Sequence, residues 1–266
     1  MYSSFQLARK YFGYYFSASN GRGHGIHSPF VYDFVKNVLN DKTKYPAYSR
    51  VEGLRRKLKK DGRKLDITDL GAGSASNGAG ERRISDITRY AAKPKRLGQL
   101  IFRIARYYQP RTLLELGTSL GVSTAYLAEA APEARLVSIE GASALAGAAA
   151  ENLWWLGLSN VELRTGNFDE LLGPELARLG QVDLAFVDGN HRREPTLRYF
   201  HLLAARCSPR SVLIFDDIHW STEMEEAWES IRQDPRVMLT IDLFFIGLVF
   251  FREEFKIKQN FTIRAI

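Results

Sequence analysis

A chain of 266 residues with 45% hydrophobic and 12% aromatic content can fill the core of one large domain, or of one domain with an appendage, which excludes wholesale disorder. A single cysteine, Cys207, excludes an intrachain disulfide and a thiolate metal cluster. The longest apolar run, residues 243–251, falls far short of the ~20 residues of a membrane helix, so a protein of the reducing cytoplasm is expected. The formal charge of +7 is unevenly spread, with 22 Lys+Arg against 8 Asp+Glu in residues 1–110 and 15 against 22 in residues 111–266.

In chain order, "MYSSFQLARKYFGYYF" is broken by Arg9 and Lys10 and lacks the apolar centre of a secretory signal. His24 and His27 in "GRGHGIHSPF" lack a third ligand nearby and read as capping or loop residues rather than a metal site. The run "PFVYDFVKNVLND", residues 29–41, predicts a helix opened by Ser28 and Pro29. The block "RRKLKKDGRK", residues 55–64, reads as a solvated helix face and loop. Nucleic acid is a weaker reading, because no aromatic residues interleave with the charges. Residues 1–108 are thus expected to be a mainly helical extension acting as a lid over an acceptor, followed by one domain over 109–266.

From residue 111 onward, short apolar β-type runs alternate with helical patterns, the mark of a doubly wound parallel sheet. The strands are expected at "TLLELG" (112–117), "RLVSIE" (135–140), "VELRTG" (161–166), "VDLAFVDG" (182–189) and "SVLIFDD" (211–217). Helices are expected near 121–131, 142–156, 168–179, 193–206 and 222–233. "VMLTIDLFF" and "GLVFFR" lie too close together for a crossover and should pair antiparallel. The fold class is therefore α/β, Rossmann-like, with five parallel strands and a terminal antiparallel hairpin.

Two loops compete for a nucleotide. "DITDLGAGSAS" (66–76) and "TLLELGTSLGVST" (112–124) share an acid two residues before a glycine, Asp69 with Gly71 and Glu115 with Gly117. Only the second is followed by a helix and a strand ending in an acid, Glu140, placed to accept hydrogen bonds from a ribose. The first is followed by helical, basic sequence, so Gly71 and Gly73 read as turn residues. Gly117 and Gly121 are four apart, not the G-x-G-x-x-G of a pyrophosphate cradle, which disfavours an NAD oxidoreductase. An acid at 115 suits a ligand carrying positive charge, such as the amino group of S-adenosylmethionine.

On "LLELGTSLGVST", "LVSIEG", "TGNFDEL", "LAFVDGNH" and "VLIFDDIHW", residues from about 94 to 252 resemble the class I S-adenosylmethionine-dependent methyltransferases. Within them the chain is similar to the branch of catechol and caffeoyl-coenzyme A O-methyltransferases. "GHGIHSPFVYDFV" and "FDDIHWS" also resemble stretches of uncharacterised bacterial members. The resemblance implies a seven-stranded sheet with a reversed last strand. It implies Glu115, Gly117, Thr118 and Ser119 at the methionine end, Glu140 at the ribose, and Asn167 and Phe168 at the adenine. Gly121, Ser123, Gly141 and Asp188 complete the implied cofactor set.

Open α/β sheets take ligands outside the carboxyl ends of their strands, which draws attention to Asp188 and to Asp216 with Asp217. Three converging carboxylates want a positive charge among them, and Mg²⁺ or another divalent cation with oxygen ligands answers that need. The metal-dependent relatives hold Asp-Asn where this chain has Asp216-Asp217, so Asp217 departs from their pattern. His191, three residues beyond Asp188 where catechol-type enzymes place a catalytic Lys, is the expected general base, with Asp188 beside it. His219 is a second candidate base or metal ligand, and Trp220 a wall of the acceptor pocket. The expectation is a methyltransferase acting on an oxygen of a small-molecule acceptor, with a homodimer compatible. The alternatives are an RNA or other nucleic-acid methyltransferase, for which no Asn/Asp-Pro-Pro-aromatic word is present, and a silent S-adenosylmethionine-binding protein.

Overall fold

The computed structural model describes residues 1–21, 23, 26–67 and 80–264. Within these the chain forms two units, Met1–Asp41 with Glu175–Ile266, and Lys42–Pro174.

The Lys42–Pro174 unit begins with helix α3 (Pro46–Leu58; α1 and α2 belong to the other unit) and a hairpin of β1 (Lys64–Ile67) and β2 (Gly80–Arg83). Helices α4 (Ile84–Tyr90) and α5 (Lys95–Tyr108) follow. The βα alternation starts with β3 (Thr112–Leu116), α6 (Val122–Ala130), β4 (Arg135–Glu140), α7 (Ser143–Trp155) and β5 (Val161–Thr165), then enters α8 (Phe168–Leu179). β3, β4 and β5 lie in that order and pair in parallel. β5 is an edge strand with no buried residue, whereas the near-continuous apolar runs of β3 and β4 fit strands covered on both faces, and Leu113, Leu114, Leu136, Val137 and Ile139 are all fully buried. Such side chains supply roughly 1.5–3 kcal/mol each on burial. Gly98 of α5 lets Tyr126 of α6 lie against the helix backbone, since a Cβ there would stand 2.5 Å from the ring.

The other unit opens with α1 (Ser4–Ser17) and α2 (Pro29–Phe34). After residue 175 it holds β6 (Val182–Val187), α9 (Arg193–Ala204), β7 (Cys207–Asp216), α10 (Thr222–Gln233), β8 (Leu239–Asp242), β9 (Ile246–Phe250) and β10 (Gln259–Thr262). Its strand order is β10-β8-β9-β7-β6, with β6 and β7 parallel and β9 antiparallel to both β7 and β8. Helix α1 is capped by Ser3, whose side chain accepts from the Gln6 amide. Tyr14 and Ala18 form a small core with Phe244, and the Tyr14 hydroxyl donates to the Ile263 carbonyl.

The class is the expected mixed, mainly parallel α/β fold, with the terminal antiparallel hairpin in place. Three details differ. The main sheet has eight strands rather than seven, because β10 pairs in parallel beside β8 as an extra edge. Its "QNFT" sequence is partly exposed and carries no apolar run to announce it. The helix expected over 29–41 is α2 followed by a π-helical turn, Val35–Leu39, and the Ser28 side chain makes no capping bond. The mainly helical N-terminal region is interrupted by the β1–β2 hairpin, whose strands flank residues 68–79. Asp69, Gly71, Gly73 and His24 lie outside the described residues, so the turn reading of Gly71 and Gly73 and the reading of His24 fall there too. Among the described residues no helix is long and apolar enough to cross a membrane.

Candidate functional site

In the Lys42–Pro174 unit, β3 runs into a tight turn that no ordinary backbone could make. Gly117, Ser119 and Gly121 take φ values of 97°, 50° and 80°, and Gly121 is the N-cap of α6. Glu140, at the end of the adjacent β4, holds this turn. Its Oε2 accepts from the Ser119 amide at 2.7 Å and its Oε1 from the Ala142 amide at 3.0 Å. Both carboxylate oxygens are thus fixed by backbone. Gly141 sits between the two anchor points. The Gly166 amide donates to the Glu140 carbonyl at 2.9 Å, tying the end of β5 to the same place.

Glu115 lies one layer deeper. It is fully buried, and its Oε2 accepts from Thr124 Oγ1 at 2.5 Å and Ser138 Oγ at 2.6 Å. Thr118 Oγ1 shares a hydrogen bond with the same Ser138 hydroxyl at 2.5 Å. Glu115 and Ser138 stand opposite one another in the β3–β4 register, so the network braces the turn from below. Sequence reasoning missed Ser138 and Thr124. The available signal was the hydroxyl in the middle of "RLVSIE", directly across from a buried acid. Ser123 lies buried in the first turn of α6. Asn167 precedes α8, and its Oδ1 accepts from the Asp169 amide at 2.9 Å, a helix-capping role; Phe168 begins that helix, partly exposed.

In the other unit, β6 and β7 run parallel with Val187 opposite Phe215, which sets Asp188, just past β6, beside Asp216, the last residue of β7. Asp188, His191 and Asp216 each bring a ligand atom into a group no wider than 4.8 Å. His191 Nε2 lies 3.6 Å from Asp188 Oδ1, and Asp216 is buried. The turn that carries His191 is set by Asn190, at φ 57°, whose side chain donates to the Tyr199 hydroxyl at 3.0 Å. Asp217 does not join the group. It has φ 53° and its amide donates to the Phe245 carbonyl at 2.7 Å, which turns the chain out of β7. Two carboxylates and an imidazole within this spacing suit a divalent cation of borderline softness. Asp216 is the deepest of the three.

His219 serves elsewhere. Its Nδ1 pairs with Glu225 Oε1 at 3.0 Å and its Nε2 with Asp242 Oδ2 at 2.9 Å, while the ring stacks on Phe244. Burial pulls its pKa down, but the hydrogen bonds and charges of the two carboxylates outweigh that and raise it above the ordinary value. With both nitrogens engaged by carboxylates, it is a tie rather than a base. Lys10 of α1 reaches the same Glu225 at 2.8 Å, as does the Tyr2 hydroxyl at 2.7 Å. The Trp220 carbonyl accepts from the Tyr2 amide, and the Trp220 side chain is partly exposed. His27 joins no ligand cluster among the described residues.

Residues 114–218 match the protein family described as "Methyltransferase domain". The chain is 31% identical over 125 residues to a catechol O-methyltransferase of Niastella koreensis, which covers 46% of this chain and 55% of that protein. It therefore spans about half the length of the curated relative it matches. Three solved structures share the fold. An O-methyltransferase of Streptomyces achromogenes involved in tomaymycin synthesis, in complex with SAM, is 23% identical over 84% of this chain and 95% of that one, with a TM-score of 0.55. An O-methyltransferase of Bacillus cereus in complex with SAH is 20% identical over 83% and 97%, with a TM-score of 0.53. An SAH-bound methyltransferase of Podospora anserina is 15% identical over 85% and 97%, with a TM-score of 0.58.

Proposed function

We infer that this chain, with its class I methyltransferase domain, is an S-adenosylmethionine-dependent O-methyltransferase whose acceptor is a small hydroxylated molecule. The observation that carries the reading is Glu140, held at the end of β4 by the Ser119 and Ala142 amides beside a turn built on Gly117 and Gly121. A carboxylate so fixed accepts the two ribose hydroxyls of an adenosyl group, and the turn leaves room for the methionine portion. Gly117, Thr118, Ser119 and Gly121 line that portion. Ser123 and Gly141 shape its edges, and Asn167 and Phe168 border the adenine. Glu115 acts through Thr124 and Ser138 as a positioning residue.

The sulfonium already activates the methyl group, so the protein's task is alignment and proton removal. The acceptor oxygen forms its bond to the methyl carbon as the carbon–sulfur bond breaks, leaving the neutral thioether. The hydroxyl proton goes to His191. In the tautomer with Nε2–H toward Asp188, Nδ1 is the basic nitrogen, and Asp188 stabilises the imidazolium that results. A divalent cation held by Asp188, Asp216 and His191 would lower the pKa of the acceptor hydroxyl and fix its orientation. Ligation by His191 and general-base action by His191 exclude one another.

Calorimetric titration with S-adenosylmethionine tests the cofactor half, and failure of the folded protein to bind would overturn the reading. Turnover of a catechol with and without chelator then separates the two uses of His191. Loss with chelator, restored by Mg²⁺ or Mn²⁺, assigns the cluster to a cation. Turnover unaffected by chelator and abolished in His191→Ala assigns the base.

A further inference from the structure

We propose that α3 and the C-terminal end of α7 form a docking surface for single-stranded nucleic acid. The basic block of residues 55–64 has no aromatic residue within it, but the fold supplies them from another part of the chain. Trp154 and Trp155, at the end of α7, are 83% and 49% exposed. Lys57 of α3 lies over the Trp155 ring, its Nζ 4.7 Å from the ring centroid. Arg50, two turns earlier on α3, donates to the Leu156 carbonyl just past the tryptophan pair and pairs with Glu129 at 2.7 Å. Arg63 is joined to Glu151 at 3.0 Å, one turn before Trp155. The basic helix and the tryptophans therefore make one continuous surface within the Lys42–Pro174 unit.

The charges on it are available. Arg56, Lys59 and Lys60 are exposed, and their side chains form no ion pair or hydrogen bond among the described residues. Arg56 and Lys57 lie in the last turn of α3, and Lys60 in the turn that follows it. Basic residues in a last turn also complement the helix dipole, which accounts for some of this charge. It does not account for two neighbouring indoles left in water. An exposed indole at Trp154 beside free cations at Arg56, Lys59 and Lys60 is what a single strand needs: a base stacks on the ring while phosphates meet the charges. Charge complementarity thus favours a polyanion, and the indoles favour one that carries bases.

The surface is remote from the cofactor turn. That turn adjoins the start of α7 at Ser143, and Trp154 lies eleven residues on, about 17 Å along the helix. A bound strand is therefore a tether and not the methyl acceptor, and the inference stands apart from the proposed function.

Fluorescence anisotropy with a labelled oligouridylate of about 12 nucleotides tests it on the 266-residue chain. Binding is expected at low salt and should weaken as salt rises. Trp154→Ala should raise Kd on the order of tenfold. The triple change Arg56→Glu, Lys57→Glu, Lys60→Glu should flatten the log–log salt dependence by about 2, at roughly 0.7 per phosphate contact. Trp154→Ala should keep the wild-type melting temperature, and both variants should keep the wild-type S-adenosylmethionine affinity, which separates this test from that of the enzyme reading. No binding, or binding indifferent to Trp154→Ala, would overturn the proposal. So would preferential Trp154-dependent binding of polyglutamate, which marks an acidic protein partner, or Trp154-dependent self-association in sedimentation.

Discussion

Replacing Glu140 by Gln keeps the shape of the side chain and removes its charge. The carboxylate accepts from two backbone amides, at 2.7 and 3.0 Å, and both oxygens face donors. Glutamine satisfies one and sets its own NH₂ against the other. The loss is one charge-assisted hydrogen bond plus an unsatisfied donor in a buried setting, about 2–3 kcal/mol. At roughly 2–4 °C per kcal/mol for a chain of this size, thermal denaturation should come 4–12 °C lower. The same substitution halves what a ribose can be offered. Losing a hydroxyl–carboxylate bond of about 1.5–3 kcal/mol should weaken S-adenosylmethionine binding some 10- to 150-fold by calorimetry. The two readouts test separate claims. An unchanged melting temperature would refute the bracing of the turn by Glu140. An affinity within twofold of wild type would refute its role at the ribose.

His219 gives a pH dependence of known sign. Its raised pKa means that its pairing with Glu225 and Asp242 contributes fully below the ordinary value of 6.5 and is lost as pH rises through the folded value. Glu225 is held below its usual 4.5, since burial, which would raise it, is outweighed by hydrogen bonds from Lys10, Tyr2 and His219. The network should therefore be complete between about pH 4.5 and 6.5, and melting should fall above neutrality more steeply in the wild type than in His219→Gln. Cys207 is pushed up to about 12 by burial, so the native protein should resist alkylation at pH 8 and react once unfolded. Gly247→Ala in β9 places a Cβ 2.5 Å from the Trp228 ring of α10 and should cost about 1–3 kcal/mol in denaturant unfolding. Deleting residues 1–18 strips Tyr14 and Ala18 from Phe244 and should lower stability. If α1 also covers the acceptor, the truncated enzyme should keep S-adenosylmethionine binding and lose turnover.

The strands that position the site were legible because each is a short apolar run bounded by Gly, Asp or Asn, and their pairing followed from the crossover helices between them. The choice of the second glycine loop rested on one acid at the end of one strand, and Glu140 is found bonded to that loop. β10 was not legible, since an edge strand needs no apolar face and "QNFT" has none. Nor was the partnership of Lys57 with Trp155, nearly one hundred residues apart, because sequence periodicity reports only the face a helix buries and not which distant ring will meet it. The depth of Glu115 was hidden for a related reason. An acid ahead of a glycine looks alike whether it faces a ligand or two hydroxyls behind the turn.

The division of the chain has a consequence for the order in which it acquires structure. Lys42–Pro174 is continuous, so the whole of that unit has left the ribosome when residue 174 has. Met1–Asp41 is not so placed. Tyr14 waits for Ile263, Ser19 for the same residue across an isolated bridge, and Lys10 for Glu225. At about 5–20 residues per second, synthesis of the remaining 92 residues occupies roughly 5–18 s, during which the aromatic face of α1 has no core to join. This interval is where a chaperone would have its longest access to the nascent chain, and contacts of such sequence separation should make closure of the discontinuous unit the slow phase of refolding.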